Sequence, residues 1–181
     1  GCYAQTQPDE VMQLPGLGLV LGNADKHNIV TAIKKMLERP VSPQLPVEPS
    51  IYMTDITQER NFETLPVNRF LGKTKAFIKV QTGCNQSCSF CTVVKARGRS
   101  LSDSRENILN NIRGAIASGF KEITLSGINL GTWGMDLHPQ KKFSSLVERI
   151  LNLEGDFRVR LSSINPMEID NQLIRLMAKH P

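Results

Sequence analysis

The amino-acid sequence predicts an α/β fold, in which parallel strands are joined by helices. From Lys75 to the end of the chain, three apolar segments of strand length alternate with three longer segments that have helical spacing. Near the amino terminus, a further apolar segment of strand length is followed by one helical segment. The 181 residues, of which 40% are hydrophobic, are enough to form a core of ordinary size.

The amino-terminal unit begins with Gly16 to Gly22 (GLGLVLG), an apolar run bounded by glycines that predicts a strand. Asn23 to Asp25 offer caps for a helix, which Pro40 ends. The apolar residues of this helix recur at helical spacing: Ile29, Val30, Ile33, Met36 and Leu37. We interpret residues 1–39 as the end of an α/β domain, and we expect the protein to continue beyond both ends of this sequence.

A proline-rich stretch follows this unit. Prolines interrupt regular elements because they lack a backbone N–H donor. We therefore predict a linker over residues 40–66 and a second domain over residues 67–181. The prolines of the stretch are Pro40, Pro43, Pro46, Pro49 and Pro66.

The second domain is predicted to have the order β-α-β-α-β-α. Its strands are Lys75 to Val80, Lys121 to Leu125 and Phe157 to Leu161, and its helices are Asp103 to Ser118, Phe143 to Leu153 and Pro166 to Lys179. Asp103, with Glu106 three residues later, predicts the start of the first helix, and Gly119 its end. A doubly wound sheet or part of a (β/α) barrel fits this order. A complete barrel has about eight such units, so we expect the sheet to continue outside this sequence.

Charge and composition limit the class of protein. The 22 Lys and Arg against 17 Asp and Glu give a net charge of +5, which slightly favours a polyanion such as RNA, although many basic domains bind none. The sequence has no apolar segment of membrane-spanning length and no signal-peptide pattern, so we expect a cytoplasmic protein without membrane contact. Three of the four cysteines are clustered, which favours metal ligation over disulfides.

The clustered cysteines, Cys84, Cys88 and Cys91, have the spacing C-x3-C-x2-C in the loop after the first strand of the second domain. Ferredoxin-type clusters use four cysteines, and none follows nearby, so an iron-sulfur cluster here would have one non-protein ligand. A zinc site with three Cys and one His or water is an alternative, as are three buried cysteines. His138, the nearest histidine, does not follow at zinc-finger spacing, which favours the iron-sulfur cluster.

This spacing, with the aromatic residue Phe90 before the last cysteine, resembles the signature of radical S-adenosylmethionine enzymes. The resemblance implies a four-iron cluster whose open iron binds the amino and carboxylate groups of S-adenosylmethionine. In that family an electron from the cluster cleaves the sulfonium, and the resulting 5′-deoxyadenosyl radical abstracts hydrogen from a C–H bond. The cofactor carries this chemistry, and the protein supplies ligands, orientation and shielding.

Longer strings resemble the methylthiotransferases, which insert a methylthio group at a C–H bond. These strings are GCYAQ, GNADK, KAFIKVQTGCNQSCSFC, ARGRS, LSGINLGTWG and RLSSINP, so the resemblance covers nearly the whole chain. Residues 1–39 would then end the amino-terminal methylthiotransferase domain, and residues 67–181 would be a truncated radical S-adenosylmethionine core with the first three units of its barrel. Val94 and Lys75 depart from the family, which usually has Pro and Arg there, but neither removes a ligand.

The methylthiotransferase resemblance also implies a second four-iron cluster in the full-length protein. Cys2 matches the third ligand of that cluster, and the other two would lie upstream. The alternative for Cys2 is a single buried thiol. An electron donor protein is implied as a partner, and the resemblance does not identify it.

The substrate is indicated by the string GINLGTWG at Gly127 to Gly134. It resembles most the branch that methylthiolates threonylcarbamoyladenosine beside the anticodon of tRNA, which makes tRNA the expected partner. Isopentenyladenosine tRNA and an Asp of a ribosomal protein are the substrates of two alternative branches. An alternative of another class is a non-catalytic RNA-binding module that uses the clustered cysteines to hold a structural zinc.

Polar residues after the second and third strands are candidates for binding S-adenosylmethionine. In the superfamily, backbone groups at the position of Gly127 bind the amino group of the cofactor, and a residue without a Cβ permits close approach. An ordinary turn at the end of the strand is the alternative for Gly127. Asn129 is expected to hold this loop by side-chain hydrogen bonds, with a local cap as the alternative. Ser162, Ser163 and Asn165 are expected to reach the ribose or the carboxylate, with local helix and turn caps as the alternative.

Basic and aromatic residues are candidates for binding RNA. Lys95, Arg97 and Arg99 follow the cysteines and suit RNA phosphate or the cofactor carboxylate, with a solvated surface as the alternative. Trp133 can stack on a base, but packing in the core is the stronger expectation for a lone Trp.

Overall fold

The computed structural model describes residues 1–38, 49–59, 61, 62, 64 and 74–180. The chain forms two compact units. The first unit contains Gly1–Arg60 and Asn85–Arg99, and the second contains Asn61–Cys84 and Ser100–Pro181. Both units combine helices with parallel strands, so the predicted α/β class is confirmed. Within the described residues, no helix has the length and apolar character that crossing a membrane requires.

The first unit is built on a pair of parallel strands, β1 (Leu19–Leu21) and β2 (Ser50–Tyr52). Its helices are α1 (Cys2–Thr6), α2 (Pro8–Met12), α3 (Ile29–Leu37) and α4 (Val93–Arg97). The predicted strand within GLGLVLG and the helix that follows it are confirmed by β1 and α3. The predicted caps Asn23 to Asp25 do not cap α3, whose N-cap residue is Asn28. Instead, the Asp25 carboxylate accepts hydrogen bonds from the backbone N–H and the hydroxyl of Thr54, at 2.8 and 2.7 Å.

Strand β2 corrects the expectation that prolines exclude every regular element between Pro40 and Pro66. Its three residues follow Pro49 directly and are stabilised by pairing with β1, a distant segment, so no local pattern predicts them. Residues 39–48, 60, 63 and 65–73 lie outside the described residues. The linker over 40–66 and the boundary at 66 to 67 therefore stay predictions.

The second unit contains a parallel sheet of three strands in the order β3 (Lys75–Lys79), β6 (Glu122–Ser126) and β7 (Arg158–Leu161). Helices α5 (Arg105–Ala117), α6 (Phe143–Leu151) and α7 (Asn171–Lys179) alternate with these strands along the chain. The predicted β-α-β-α-β-α order with parallel strands is thus confirmed. Two short strands, β4 (Gln81–Thr82) and β5 (Leu101–Ser102), form an antiparallel pair between β3 and α5.

The core of the second unit lies between the sheet and its helices. Ile78 of β3 and Leu125 of β6 are buried and belong to one apolar cluster with residues of α5 and α6. Burying an aliphatic side chain of this size contributes about 1.5 to 3 kcal/mol. Trp133 is fully buried in this core, and its indole N–H donates to the Asp103 carbonyl at 3.0 Å. The expectation that this residue packs in the core is confirmed.

Two helix starts differ from the prediction. The N-cap of α5 is Ser104, whose hydroxyl accepts a hydrogen bond from the backbone N–H of Asn107 at 3.1 Å. The buried Asp103 carboxylate accepts hydrogen bonds from the backbone N–H of Ser104 and from the side-chain amide of Asn107. The predicted third helix is two pieces, a 3₁₀ turn at Pro166–Glu168 and then α7. The break occurs because Asp170 has an extended backbone and caps α7 with its side chain.

Candidate functional site

The cysteine loop lies between β4 and α4 and has no helical or strand residue from Gly83 to Thr92. Cys84 ends a segment of the second unit and is half-buried, whereas Cys88 and Cys91 belong to the first unit and are exposed. A turn joins the last two cysteines, in which the Cys91 N–H donates to the Cys88 carbonyl at 3.1 Å. The four cysteines, all within the described residues, form no disulfide.

Within the described residues, no group of three or more His, Cys, Asp or Glu side chains is arranged to hold a metal ion. Three thiols within one irregular loop, two of them exposed and one half-buried, suit an iron-sulfur cluster by the chemistry of their donors. The assignment of Cys84, Cys88 and Cys91 as cluster ligands stays a prediction. The role of the exposed Phe90 in binding the cofactor also stays a prediction.

The loops after β6 and β7 meet at the carboxyl edge of the sheet. The Leu130 N–H donates to the Ser163 carbonyl at 3.0 Å, and the Ser162 N–H donates to the Leu125 carbonyl at 3.2 Å. The Asn165 side-chain amide donates to the Asn129 side-chain carbonyl at 3.2 Å. The structure therefore brings these predicted residues together at one edge, while their contact with S-adenosylmethionine stays a prediction.

Glu168 completes the polar group at this edge and was not predicted from the sequence. Its carboxylate accepts from the Asn129 amide at 2.7 Å and from the Asn165 amide at 3.3 Å. Asn165 and Glu168 also form a capping box around the turn that begins at Pro166. The spacing of Asn165, Pro166 and Glu168 was the signal in the sequence from which this box could have been predicted.

Gly131 permits the close approach of Glu168. A Cβ atom at residue 131 would lie 2.3 Å from the Glu168 Cβ and 2.5 Å from its Oε2. Such distances are far below van der Waals contact, so a larger residue would displace Glu168 and its bonds to Asn129 and Asn165.

Gln81 is a second residue that the sequence did not indicate. Its side chain is 1% exposed, and its Oε1 accepts from the backbone N–H groups of Ile128 and Asn129, both at 2.9 Å. Its Nε2 donates to the Thr82 and Gly83 carbonyls and to the Ser100 hydroxyl, all at 2.9 Å. One buried amide thus joins the start of the cysteine loop to the loop after β6.

The Gln81 bonds fix the direction of two carbonyl groups. In a trans peptide the C=O points opposite to the N–H of the next residue. Because the N–H groups of Ile128 and Asn129 point at Gln81, the carbonyls of Gly127 and Ile128 point away from it. A carbonyl oxygen is an acceptor that suits an ammonium group. This geometry supports the predicted role of Gly127.

The basic residues after the cysteines differ in exposure. Lys95 and Arg99 are exposed, whereas Arg97 is half-buried. Helix α4, which carries Arg97, packs against α1 within the first unit. The RNA-binding role of these three residues stays a prediction.

Cys2 lies at the start of α1 and is exposed. Its Sγ accepts a hydrogen bond from the Asn23 side-chain amide at 3.5 Å. Burial alone would raise the pKa of the Cys2 thiol, but this hydrogen bond and the nearby Arg97 guanidinium together lower that pKa below its ordinary value. The surroundings of Cys2 therefore stabilise a thiolate, which is the form that binds a metal.

Comparison with characterised proteins identifies related enzymes. The chain is 33% identical to the threonylcarbamoyladenosine tRNA methylthiotransferase MtaB of Bacillus subtilis over 177 residues, 98% of this chain and 38% of the relative. The Aquifex aeolicus protein of the same name is 33% identical over 180 residues, 98% of this chain and 41% of the relative. A tRNA-2-methylthio-N(6)-dimethylallyladenosine synthase of Clostridium botulinum is 30% identical over 167 residues, 92% of this chain and 35% of the relative.

No protein-family model matches the chain. The chain spans about two fifths of the length of the curated relatives it matches. Over nearly its whole length, the chain thus matches a segment of the tRNA methylthiotransferase family.

Proposed function

We propose that the chain is part of a radical S-adenosylmethionine methylthiotransferase that converts threonylcarbamoyladenosine in tRNA to its 2-methylthio derivative. The observation that carries this proposal is the C-x3-C-x2-C loop that follows the first strand of a parallel α/β unit. The similarity to two enzymes named for this reaction supports it. The partner is then a tRNA, and the place of action is the cytoplasm.

The second unit fits the start of the barrel on which radical S-adenosylmethionine enzymes are built. We assign β3, β6 and β7, with their helices, to its first three units, within a core that spans residues 67–181. Residues 1–39 would end the amino-terminal domain, and 40–66 would link the two. In (β/α) barrels the active site lies at the carboxyl ends of the strands, which is the edge that carries Gly127, Asn129 and Asn165.

Three cysteines, Cys84, Cys88 and Cys91, would hold the first four-iron cluster, and Cys2 would be one ligand of a second. When bound, the first cluster supplies the electron that cleaves S-adenosylmethionine and so starts the hydrogen abstraction. The exposed Phe90 ring would shield the bound cofactor from water.

The protein's own contribution is to orient S-adenosylmethionine. Gln81 holds the Gly127 and Ile128 carbonyls in fixed directions, and these oxygens would accept from the cofactor ammonium group. Hydrogen bonds join the side chains of Asn129, Asn165 and Glu168. Because of these bonds, this wall of the proposed cofactor site would keep its shape when the cofactor binds. Ser162 and Ser163 are exposed beside this wall and would donate to the ribose or the carboxylate. Preorganised groups of this kind lower the entropic cost of reaching the reactive geometry.

Dimethylallyladenosine tRNA is the second candidate substrate, because a relative named for that product is 30% identical to the chain. The string GINLGTWG favours the threonylcarbamoyl branch. Mass spectrometry of tRNA nucleosides from a strain that lacks the gene separates the two. We expect only the methylthio derivative of threonylcarbamoyladenosine to disappear.

A complementation series completes this test. The wild-type gene and a Ser87→Ala control, which changes an exposed residue of the same loop, should restore the nucleoside. A gene with Cys84, Cys88 and Cys91 changed to Ala should not. Loss of methylthiolated dimethylallyladenosine alone would assign the second candidate. Unchanged tRNA together with loss of methylthio-aspartate from a ribosomal protein would refute a tRNA substrate.

A further inference from the structure

The three-stranded sheet of the second unit has two faces of different character. Ile78 and Leu125 lie on the face that forms the apolar core with α5 and α6. Because side chains alternate across a strand, the residues next to them lie on the opposite face. All charged residues of β3, β6 and β7 lie on this opposite face, which we call the charged face: Lys75, Lys79, Glu122, Arg158 and Arg160.

The charged face has an excess of positive charge, since these three strands place four cations and one anion there. Lys75 Nζ lies 3.3 Å from Glu122 Oε1, and Arg160 Nη1 lies 3.9 Å from the same oxygen. The Arg160 side chain is 65% exposed, and an exposed contact of this length stabilises little. Glu122 neutralises one cation, so the charged face is complementary to an anion.

Thr124, in the middle strand of the charged face, is an independent observation. The parallel register places it between Phe77 of β3 and Arg160 of β7. Thr124 is 6% exposed, and among the described residues its Oγ1 is buried without a hydrogen-bond partner. A buried hydroxyl without a partner destabilises the folded protein, and valine has nearly the same shape without this cost. The hydroxyl, with an exposed guanidinium on the neighbouring strand, therefore indicates a position for an acceptor that arrives with a ligand.

We propose that Thr124 and Arg160 bind the carboxylate of the threonylcarbamoyl group and so select this substrate. This inference rests on the proposed function and names the residues that recognise its substrate. The Thr124 hydroxyl would donate to one carboxylate oxygen, and the forked Arg160 guanidinium would donate to the same carboxylate. The dimethylallyl group of the second candidate substrate has no charge and no acceptor. It would leave both donors without a partner, which disfavours its binding.

Distances along the sheet are compatible with this role. Gly127, whose carbonyl is proposed to bind the cofactor, follows Thr124 by three residues, which is about 10 Å along an extended chain. In threonylcarbamoyladenosine four bonds join the carboxylate to N6, an extended reach of about 5 Å. The carbon that carries N6 and the reacting C2 both neighbour N1 of the adenine ring. A substrate with C2 facing the cofactor at the carboxyl edge would therefore place its carboxylate within reach of the charged face.

The first test changes the substrate. Two synthetic anticodon stem-loops are compared with the reconstituted full-length protein, one with threonylcarbamoyladenosine and one with its uncharged carboxamide analogue. The measurements are kcat/KM for methylthiolation and, independently of turnover, the binding affinity from fluorescence anisotropy. We expect the carboxylate to be preferred by about 10-fold in both, because hydrogen bonds to a charged group are the stronger ones.

The outcomes separate the inference from the proposed function. Equal affinity and equal kcat/KM for the two stem-loops would overturn the inference. Preferential binding of the carboxylate stem-loop without methylthiolation of either would support the inference and overturn the proposed function. Methylthiolation of dimethylallyladenosine alone would overturn both, since that substrate has no carboxylate.

The second test changes the protein. Thr124→Val removes the hydroxyl, and Arg160→Gln removes the charge. Arg158→Gln is the matched control, because Arg158 lies on the same strand and the same face but two residues further from the carboxyl edge. We expect each of the first two variants to reduce the preference for the carboxylate to about 2- to 3-fold, and the control to keep the preference of the parent.

Two further measurements exclude other uses of these groups. Thr124→Val should be at least as stable to urea as the parent, because it removes a buried hydroxyl without a partner. A marked loss of stability would show that the fold itself uses the hydroxyl and would overturn the inference, as would folded variants with the preference of the parent. The affinity for S-adenosylmethionine should not change. A weaker affinity together with an unchanged substrate preference would assign the charged face to the cofactor carboxylate and also overturn the inference.

Discussion

The hydrogen bonds of Gln81 make its replacement the most informative change in the second unit. Gln81→Ala removes the acceptor of the Ile128 and Asn129 N–H groups and the donor to the Gly83 carbonyl and the Ser100 hydroxyl. The space left behind is enclosed, because the side chain is 1% exposed. The Asn129 N–H would then lie buried without a partner, and the part-buried Ile128 N–H would also lose its partner.

The size of the effect follows from these two groups. A buried donor without a partner costs about 1 to 3 kcal/mol, so two such donors predict a loss of about 2 to 6 kcal/mol. A water molecule entering the space would accept a hydrogen bond from one of these N–H groups. The expected loss in the free energy of unfolding is therefore about 2 to 4 kcal/mol. Gln140→Ala is the matched control, since Gln140 is exposed and makes one bond, to the Met135 carbonyl. Its expected effect is within about 0.5 kcal/mol.

Two measurements separate stability from function. Urea unfolding gives the loss of free energy, and equilibrium binding gives the affinity of the reconstituted protein for S-adenosylmethionine. We expect Gln81→Ala to weaken that affinity while the iron content is kept, because the freed loop no longer holds the Gly127 and Ile128 carbonyls in one direction. A folded Gln81→Ala protein whose stability and affinity both match those of Gln140→Ala would refute this reasoning.

Two further predictions concern the capping of α7 and the packing of Gly131. Burial alone would raise the pKa of Asp170, but bonds from the Leu173 N–H and the Ser144 hydroxyl lower it below its ordinary value. Its contribution to stability is then complete above about pH 4 and is lost as the pH falls through the lowered pKa, so Asp170→Asn should flatten the pH dependence of urea unfolding in that range. Asp156→Asn, which removes only an exposed ion pair, should leave that profile unchanged, and a parent-like profile for Asp170→Asn would contradict the assignment. Gly131→Ala should destabilise by about 1 to 3 kcal/mol through its clash with Glu168. Gly114→Ala, in α5 with open space around it, should stabilise by about 0.5 to 1 kcal/mol, and equal effects of the two changes in calorimetry would exclude a clash.

The elements with a local pattern were predicted well from the sequence. Helices α5 and α6 have apolar residues at helical spacing, and β3 and β6 are apolar segments bounded by turns, so periodicity was enough to place them. The short elements β2, β4 and β5 are two or three residues long and exist because they pair with distant segments. A pattern of that length cannot be separated from coil, which is why they were missed.

Some residues of the candidate site were also predicted from a local pattern, and others were not. The cysteine spacing and the polar loops were predicted, because each is a feature of consecutive residues. Gln81 was not predicted because the N–H groups it binds lie 47 and 48 residues away in the chain. A glutamine next to a strand resembles any surface residue until the fold shows that it is buried. Glu168 had a local signal as the end of a capping box, but its contact with Asn129 depends on the meeting of two loops.

The central claim is that Cys84, Cys88 and Cys91 hold a four-iron cluster that S-adenosylmethionine can ligate. The most direct measurement is the iron and sulfide content of the anaerobically reconstituted protein, together with its EPR spectrum before and after S-adenosylmethionine is added. We expect about four iron atoms to be lost when the three cysteines are changed to Ala, and a shift of the EPR spectrum on addition of S-adenosylmethionine only in the parent. Zinc in place of iron, or a triple variant that keeps the full iron content and brown colour of the parent, would contradict the claim.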